Sequence, residues 1–141
     1  MNNSTLSAEA HIVVTAQDTA SRIAIAPTDS FPEVFATSRM IALMELAAAR
    51  AMQPLLGEGQ LSVGVSSHVR HTAATLPGSS VRAVATLVST DAKLTHFRVE
   101  AFDEAGVIGT GEHARAIVDT ARLMSGAERR RKPISNTQGI Q

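Results

Sequence analysis

Cysteine is absent from the 141 residues, which excludes disulfides, thiolate nucleophiles and cysteine-ligated zinc and fits a reducing, cytoplasmic setting. Tryptophan and tyrosine are absent as well, and phenylalanine occurs only four times, so the core has to be built largely from Ala, Val, Leu, Ile and Met. There is no excess charge of either sign, because thirteen basic and thirteen acidic residues cancel. Proteins that track nucleic-acid phosphates usually carry a basic surplus, so no nucleic-acid partner is indicated. No run of about 18 apolar residues occurs, and Met1 to Thr5 has no basic stretch leading into an apolar one. The sequence therefore reads as neither secreted nor membrane-spanning. What is present, 44% apolar and 18% charged residues, is the composition of a globular chain of one-domain length.

Hydrophobic patterning divides that domain. Residues 10–15 and 21–26 are short and β-branched, with polar Gln17-Asp18-Thr19 between them, and read as two strands or one irregular hairpin. Ser30 and Glu33 have capping-box spacing around Pro32, which predicts a short helical turn. From about Thr37 to Gln53 the chain is rich in Ala, Leu, Met and Ile, and Pro54 and Gly57 supply a stop, so this is the one clear helix. Its Arg39 and Arg50 fall within about 20° of each other at 100° per residue, giving one narrow water-facing stripe with the rest buried. Alternating runs follow at 61–72, 80–90, 94–102 and 107–118, broken by Leu76-Pro77-Gly78, Thr90-Asp91-Ala92-Lys93 and Asp103-Glu104-Ala105-Gly106. These predict an antiparallel meander, with a core over about 8–120 and residues 121–141 trailing off as a flexible tail. Periodicity alone gives an α+β class. One central helix wrapped by a long, curved antiparallel sheet, in this chain order, is the hot-dog arrangement.

Three polar residues stand out in this apolar framework. Glu45 has Ile41, Ala42, Ala48 and Ala49 as its helical neighbours, so no basic side chain lies three or four residues away. The arginine stripe is about 120 to 140° around the helix. Leaving such a carboxylate buried and unpaired costs several kcal/mol, so it is directed into a site or paired across the fold. Thr37, by position alone, is first an N-cap. It also lies about 12 Å along the axis from Glu45 at 1.5 Å per residue, so it either folds back in a lead-in or serves another part of the site. His71 titrates near neutrality and can move protons, although a lone histidine at a strand end is more often structural.

Other residues are more ambiguous. Gly64 interrupts a strand, as a bulge, as close packing, or as an exposed amide able to stabilise an oxyanion. Arg115 reads equally as a surface or an interface charge. His68 and His71 point to opposite faces of a strand, and His11, His96 and His113 lie on separate strands, so no metal site is expected. Asp91 and His96 have the five-residue spacing used by hot-dog hydratases, but they fall at a hairpin and not at the start of the helix.

Several motifs in order carry a family likeness: Phe31-Pro32-Glu33-Val34-Phe35-Ala36-Thr37, then Met44-Glu45, then His71-Thr72-Ala73-Ala74-Thr75-x-Pro77-Gly78, then Gly109-Thr110-Gly111-x-His113-x-Arg115-Ala116. Over residues 10–120 the chain resembles the fluoroacetyl-coenzyme A thioesterase family of hot-dog proteins. The resemblance implies an acyl-coenzyme A thioester hydrolase acting as a homodimer or a tetramer. It implies Thr37, Glu45 and His71 as the catalytic set, the Gly64 amide near the thioester carbonyl, and Arg115 near the active site. Coenzyme A enters as part of the substrate, with no separate cofactor. In the fluoroacetyl-specific enzyme an extra aromatic before the helix helps form a lid. Here that segment reads Ala26-Pro27-Thr28-Asp29-Ser30 and leaves Phe31 and Phe35 as the aromatics on the substrate side, so thioesterase chemistry follows from the resemblance and fluoroacetyl selectivity does not. A non-catalytic acyl-coenzyme A sensor is the remaining alternative. The run Arg129-Arg130-Arg131-Lys132 is read as a solvated tail ahead of a contact with coenzyme A phosphates.

Overall fold

The alternating runs become strands almost residue for residue. The computed structural model describes residues 6–138, with side chains to Arg131. Its elements are β1 (Ser7–Val13), α1 (Thr37–Met52), β2 (Gln60–His71), β3 (Ser80–Asp91), β4 (Leu94–Asp103), β5 (Gly106–Asp119) and α2 (Thr120–Gln138). The strands form one antiparallel sheet in the order β1-β3-β4-β5-β2. Wrapped on α1, it has the hot-dog architecture.

On the inner face Ala83, Ala85, Val99 and Ala101 are fully buried, and Phe97 nearly so. Met40, Met44, Ala47, Ala48, Ala51 and Met52 pack against them from α1. Each fully buried Met or Phe contributes about 1.5–3 kcal/mol. Ala47 and Ala48 are thus spent on close helix-to-sheet packing. The opposite side of α1 is less covered than the sequence predicts, since Ala42 and Leu46 are exposed and Ala49 half-buried between Glu45 and the Arg39/Arg50 stripe. The helix packs chiefly on β1 and β3. That offset leaves the inner face of β2 and β5 more open.

The second predicted strand, 21–26, does not form. The Thr19 hydroxyl donates to the Ala16 carbonyl at 2.8 Å and lies 2.8 Å from Ser21 Oγ, while Asp18 Oδ2 accepts from the Thr15 amide and hydroxyl. These local bonds outcompete a ladder, and 3-10 turns run through Ala16–Asp18 and Ala20–Ile23, leaving Ile25 94% exposed. The turn expected at Ser30 and Glu33 is displaced as well. Asp29 accepts from the Ile25 and Ala26 amides instead, and α1 starts later, at Thr37.

The meander holds for β3-β4-β5, but β2 pairs with β5 at the far edge and β1 takes the free side of β3. Residues 72–79 therefore cross the sheet rather than close a hairpin. The Phe35 amide donates to Thr75 O, the Gly78 amide to Val14 O and the Val14 amide to Ser79 O. Alternation ends at Asp119, where the chain was expected to trail off; the backbone instead turns into α2, with Asp119 Oδ1 accepting from the Arg122 amide at 2.9 Å as a helix cap. Met1 to Thr5 and Gly139 to Gln141 lie outside the described residues. No helix among the described residues is long and apolar enough to cross a membrane.

Candidate active site

Helix α1 has Ala36 as its N-cap, and no side chain bonds there. Thr37 is therefore not the cap. Its hydroxyl lies 2.7 Å from His71 Nδ1, joining the start of α1 to the end of β2. Phe35 is 1% exposed and meets the imidazole edge-on with ring centroids 6.5 Å apart, so it braces His71 from beneath. Phe31 stays 47% exposed on the preceding loop. A cleft of about 370 Å³ opens over Thr37 and His71, lined also by Pro32, Val34 and Ala73.

Among the described side chains, His71 Nε2 is the one buried nitrogen or oxygen with no hydrogen-bond partner. An orphan of this kind in a cleft calls for an explanation, and a role in catalysis is one that the cleft allows. Burial lowers the His71 pKa from its ordinary 6.5, and the Ala73 backbone offsets this only in part. The imidazole is held neutral, the state in which Nδ1 can take a proton from a hydroxyl.

Glu45 lies two turns along α1 and makes no hydrogen bond or ion pair among the described residues. It faces Gly64: a Cβ there would sit 3.3 Å from Glu45 Oε2 and 3.2 Å from His113 Cε1. Glycine thus leaves the carboxylate its place beside the strand. The register of β2 shifts between Gly64 and Ser66, so a bulge interrupts the ladder next to this contact, as bulges often do beside active sites.

Behind Glu45 is a pair whose partnership the sequence reading missed. Arg115 (6% exposed) and His113 (3% exposed) share one face of β5. Arg115 Nε donates to Ser62 Oγ and Nη2 to Ser62 O, both at 3.0 Å, while Nη1 is 3.1 Å from His113 Nε2. His113 Nδ1 is 2.9 Å from the Ser66 carbonyl and 2.8 Å from Ser67 Oγ. A carbonyl only accepts, so Nδ1 carries the proton, and Nε2 accepts from the arginine. Burial lowers the pKa of both groups; Glu45 raises each, and Arg115 adds to the lowering of His113. The guanidinium stays charged and gives Glu45 a nearby cation without a direct ion pair. The available signal was His113-x-Arg115 itself, a spacing that puts both side chains on one face of a strand.

The trio is therefore divided within the chain. Thr37 and His71 meet at the start of α1, and Glu45, Gly64 and Arg115 gather about two turns further along, at its middle. Asp91 and His96 bond each other at 2.9 Å on an exposed hairpin, away from α1, which disfavours the hydratase reading. Among the described residues no three His, Cys, Asp or Glu side chains are grouped so as to hold a metal ion.

Two histidines with lowered pKa set a pH dependence. Below about pH 6.5 the unfolded chain binds protons that folded His71 and His113 resist, so stability is complete above that pH and falls as pH drops toward the lowered folded values. The urea midpoint is expected to be lower at pH 5.5 than at pH 7.5, with a smaller difference in His71→Gln. A midpoint flat across this range would contradict the assignment of neutral imidazoles.

The family model for fluoroacetyl-CoA-specific thioesterase matches residues 14–121. A fluoroacetyl-CoA thioesterase from Streptantibioticus cattleyicolor is 48% identical over 88 residues, which is 62% of this chain and 63% of that relative. A hypothetical protein from Thermus thermophilus, a thioesterase superfamily member, superposes with TM-score 0.85 at 31% identity, covering 94% of this chain and 95% of its own. A mutant of the fluoroacetyl-CoA-specific thioesterase in complex with fluoroacetate and CoA superposes with TM-score 0.82 at 35% identity, covering 87% and 98%. Because that family model matches well over half of the chain, a span that takes in α1 and all of β2 to β5, the chain belongs to the fluoroacetyl-CoA-specific thioesterase family.

Proposed function

We propose that the protein hydrolyses a short acyl-coenzyme A thioester to the free acid and coenzyme A. One observation carries the reading: Glu45 is a half-buried carboxylate with no bonded partner among the described residues, set against a glycine backbone and within electrostatic reach of a buried arginine. In this scheme the Gly64 amide polarises the thioester carbonyl, and Glu45 attacks it or activates water. Thr37 hydrogen-bonds the reacting groups and His71 moves the proton. The related structure holding CoA supports the substrate class. No resident metal or cofactor is needed, so turnover should survive exhaustive chelation. The cysteine-free composition supports action in the cytoplasm.

The two half-sites suggest that a dimer completes the reaction centre. Strand β2 is an edge of twelve residues that, among the described residues, pairs only with β5, and an open edge of that length invites a second copy. Antiparallel pairing of two β2 edges brings the His71 end of one against the Gly64 end of the other. The exposed Ala42 and Leu46 on α1 support the same association. Arg70, Arg98 and Glu112 are exposed on the outer face of the sheet and favour stopping at a dimer.

The test is thiol release from acetyl-, fluoroacetyl-, butyryl-, octanoyl- and phenylacetyl-coenzyme A. Release from one member, reduced on the order of 10²–10⁴-fold in Glu45→Ala and His71→Ala, is the expected result. Binding without turnover across the panel would replace the enzyme with a sensor.

A further inference from the structure

Beyond Arg115 the inner face of β5 leads into a second cavity, of about 610 Å³, between the strand end and α2. Arg115, Ile117 and Asp119 alternate on one face of the strand, so the cavity wall at Ile117 is about 7 Å from the buried arginine. Ile117, Leu123 and Ala127 give the cavity an apolar side, and Arg122 and Arg130 line it as exposed cations. Gly126 lines it too. Glycine is a poor residue for a helix interior, and here the Arg129 guanidinium reaches within 3.7 Å of where its Cβ would be. Asp119 is the acidic side chain of the lining, and its Oδ1 caps α2.

We infer that this cavity seats the phosphorylated nucleotide end of the thioester substrate, with adenine on the apolar side and phosphate oxygens on Arg122 and Arg130. The inference rests on the thioesterase reading. Coenzyme A is polyanionic, yet the chain has no net charge, so capture must depend on local arginines. Arg39 pairs with Asp18, Arg82 with Glu9 and the Phe102 ring, and Arg131 with Glu128, whereas Arg22, Arg50, Arg70, Arg98 and Arg129, without ion pairs among the described residues, are not part of the cavity lining. Arg122 and Arg130 make no ion pair among the described residues. Arginine takes phosphate oxygens in a two-pronged geometry. Residues read from sequence as part of a solvated tail thereby become a binding surface.

The test is an Arg122→Ala/Arg130→Ala double variant, both side chains being exposed, with its folding checked by circular dichroism. It is compared with wild type on an acyl-coenzyme A and on the acyl-pantetheine carrying the same acyl group, and by calorimetric titration with adenosine 3′,5′-bisphosphate. KM for the acyl-coenzyme A is expected to rise about tenfold or more, with kcat and the acyl-pantetheine constants unchanged and the bisphosphate affinity reduced alike. An unmoved KM, or an equal rise for both thioesters, overturns the assignment. If wild type turns over neither thioester, the thioesterase reading fails by itself and the titration decides: binding lost in the double variant upholds the nucleotide site, and absent or unaltered binding ends it.

Discussion

Glu45→Ala and His71→Ala proteins, each nearly inactive alone, are expected to regain about one quarter of wild-type turnover when their subunits are exchanged in equal amounts, because in the proposed shared-site dimer half of the dimers then carry one intact site in two. The reason is the division of the trio. Thr37 and His71 are bonded at the start of α1, whereas the charge on Glu45 acts on His113 and Arg115. If β2 edges pair in antiparallel fashion, the carboxylate of one copy serves the imidazole of the other. A heterodimer then holds one site with both defects and one with neither. A site closed within a single protomer gives the opposite result, since every protomer in the mixture carries a lesion. Continued inactivity in a mixture shown to exchange subunits would refute the shared arrangement.

Gly111→Ala should be the most damaging single methyl in the chain. A Cβ at this position would lie 2.3 Å from His68 O and 2.6 Å from Val69 Cα. Both are backbone atoms of the paired strand, so no rotamer change relieves the clash; β2 has to move away from β5. Overpacking of this kind costs about 3 kcal/mol or more, which for a domain of this size is a fall in Tm of roughly 10 °C. Because β2 carries both Gly64 and His71, turnover should decline below the melting transition too. Thermal unfolding followed by circular dichroism checks the first effect, and a melting point within about 2 °C of wild type would show that the strands can separate at little cost. The neighbouring Gly109 faces Met40 and the Arg70 carbonyl, so the paired glycines of this segment serve sheet packing while His113 and Arg115 after them serve the site.

The parts of the fold that were legible are those fixed by neighbours in sequence. The run from Thr37 to Met52 is helical because its residues favour helix and Pro54 ends it. Strands β3 to β5 follow from alternation and short turns. Ile23 and Ile25 misled because β-branched residues suggest a strand, whereas the hydroxyl and carboxylate bonds of Thr15, Asp18 and Thr19 settled that stretch locally. Strand order was not legible for β2, since nothing within residues 72–79 states that β1 will occupy the edge of β3. At the site, Glu45 was conspicuous because its helical neighbours offer no partner. Thr37 was undecidable, as an N-cap and a reacting hydroxyl look alike until the partner 34 residues away is known. His113 was overlooked because its meaning lies in contacts with Ser66, Ser67 and Arg115, two of them on another strand.

The segment between Ala20 and Val34 is stitched at its base. The Ala20 amide donates to Val34 O at 2.8 Å, Thr19 and Phe35 form an isolated bridge beside it, and Arg39 ties the same base to α1 through Asp18. This is the geometry of an Ω-loop, whose body can vary while its ends stay fixed. Its length and composition can therefore be exchanged, by evolution or by grafting, without moving Thr37 or Phe35. The Thr37–His71 pair and the loop whose Ala20, Pro32 and Val34 line its cleft are in this sense separate modules, so under the proposed chemistry the cleft wall can be varied without rebuilding the pair beneath it.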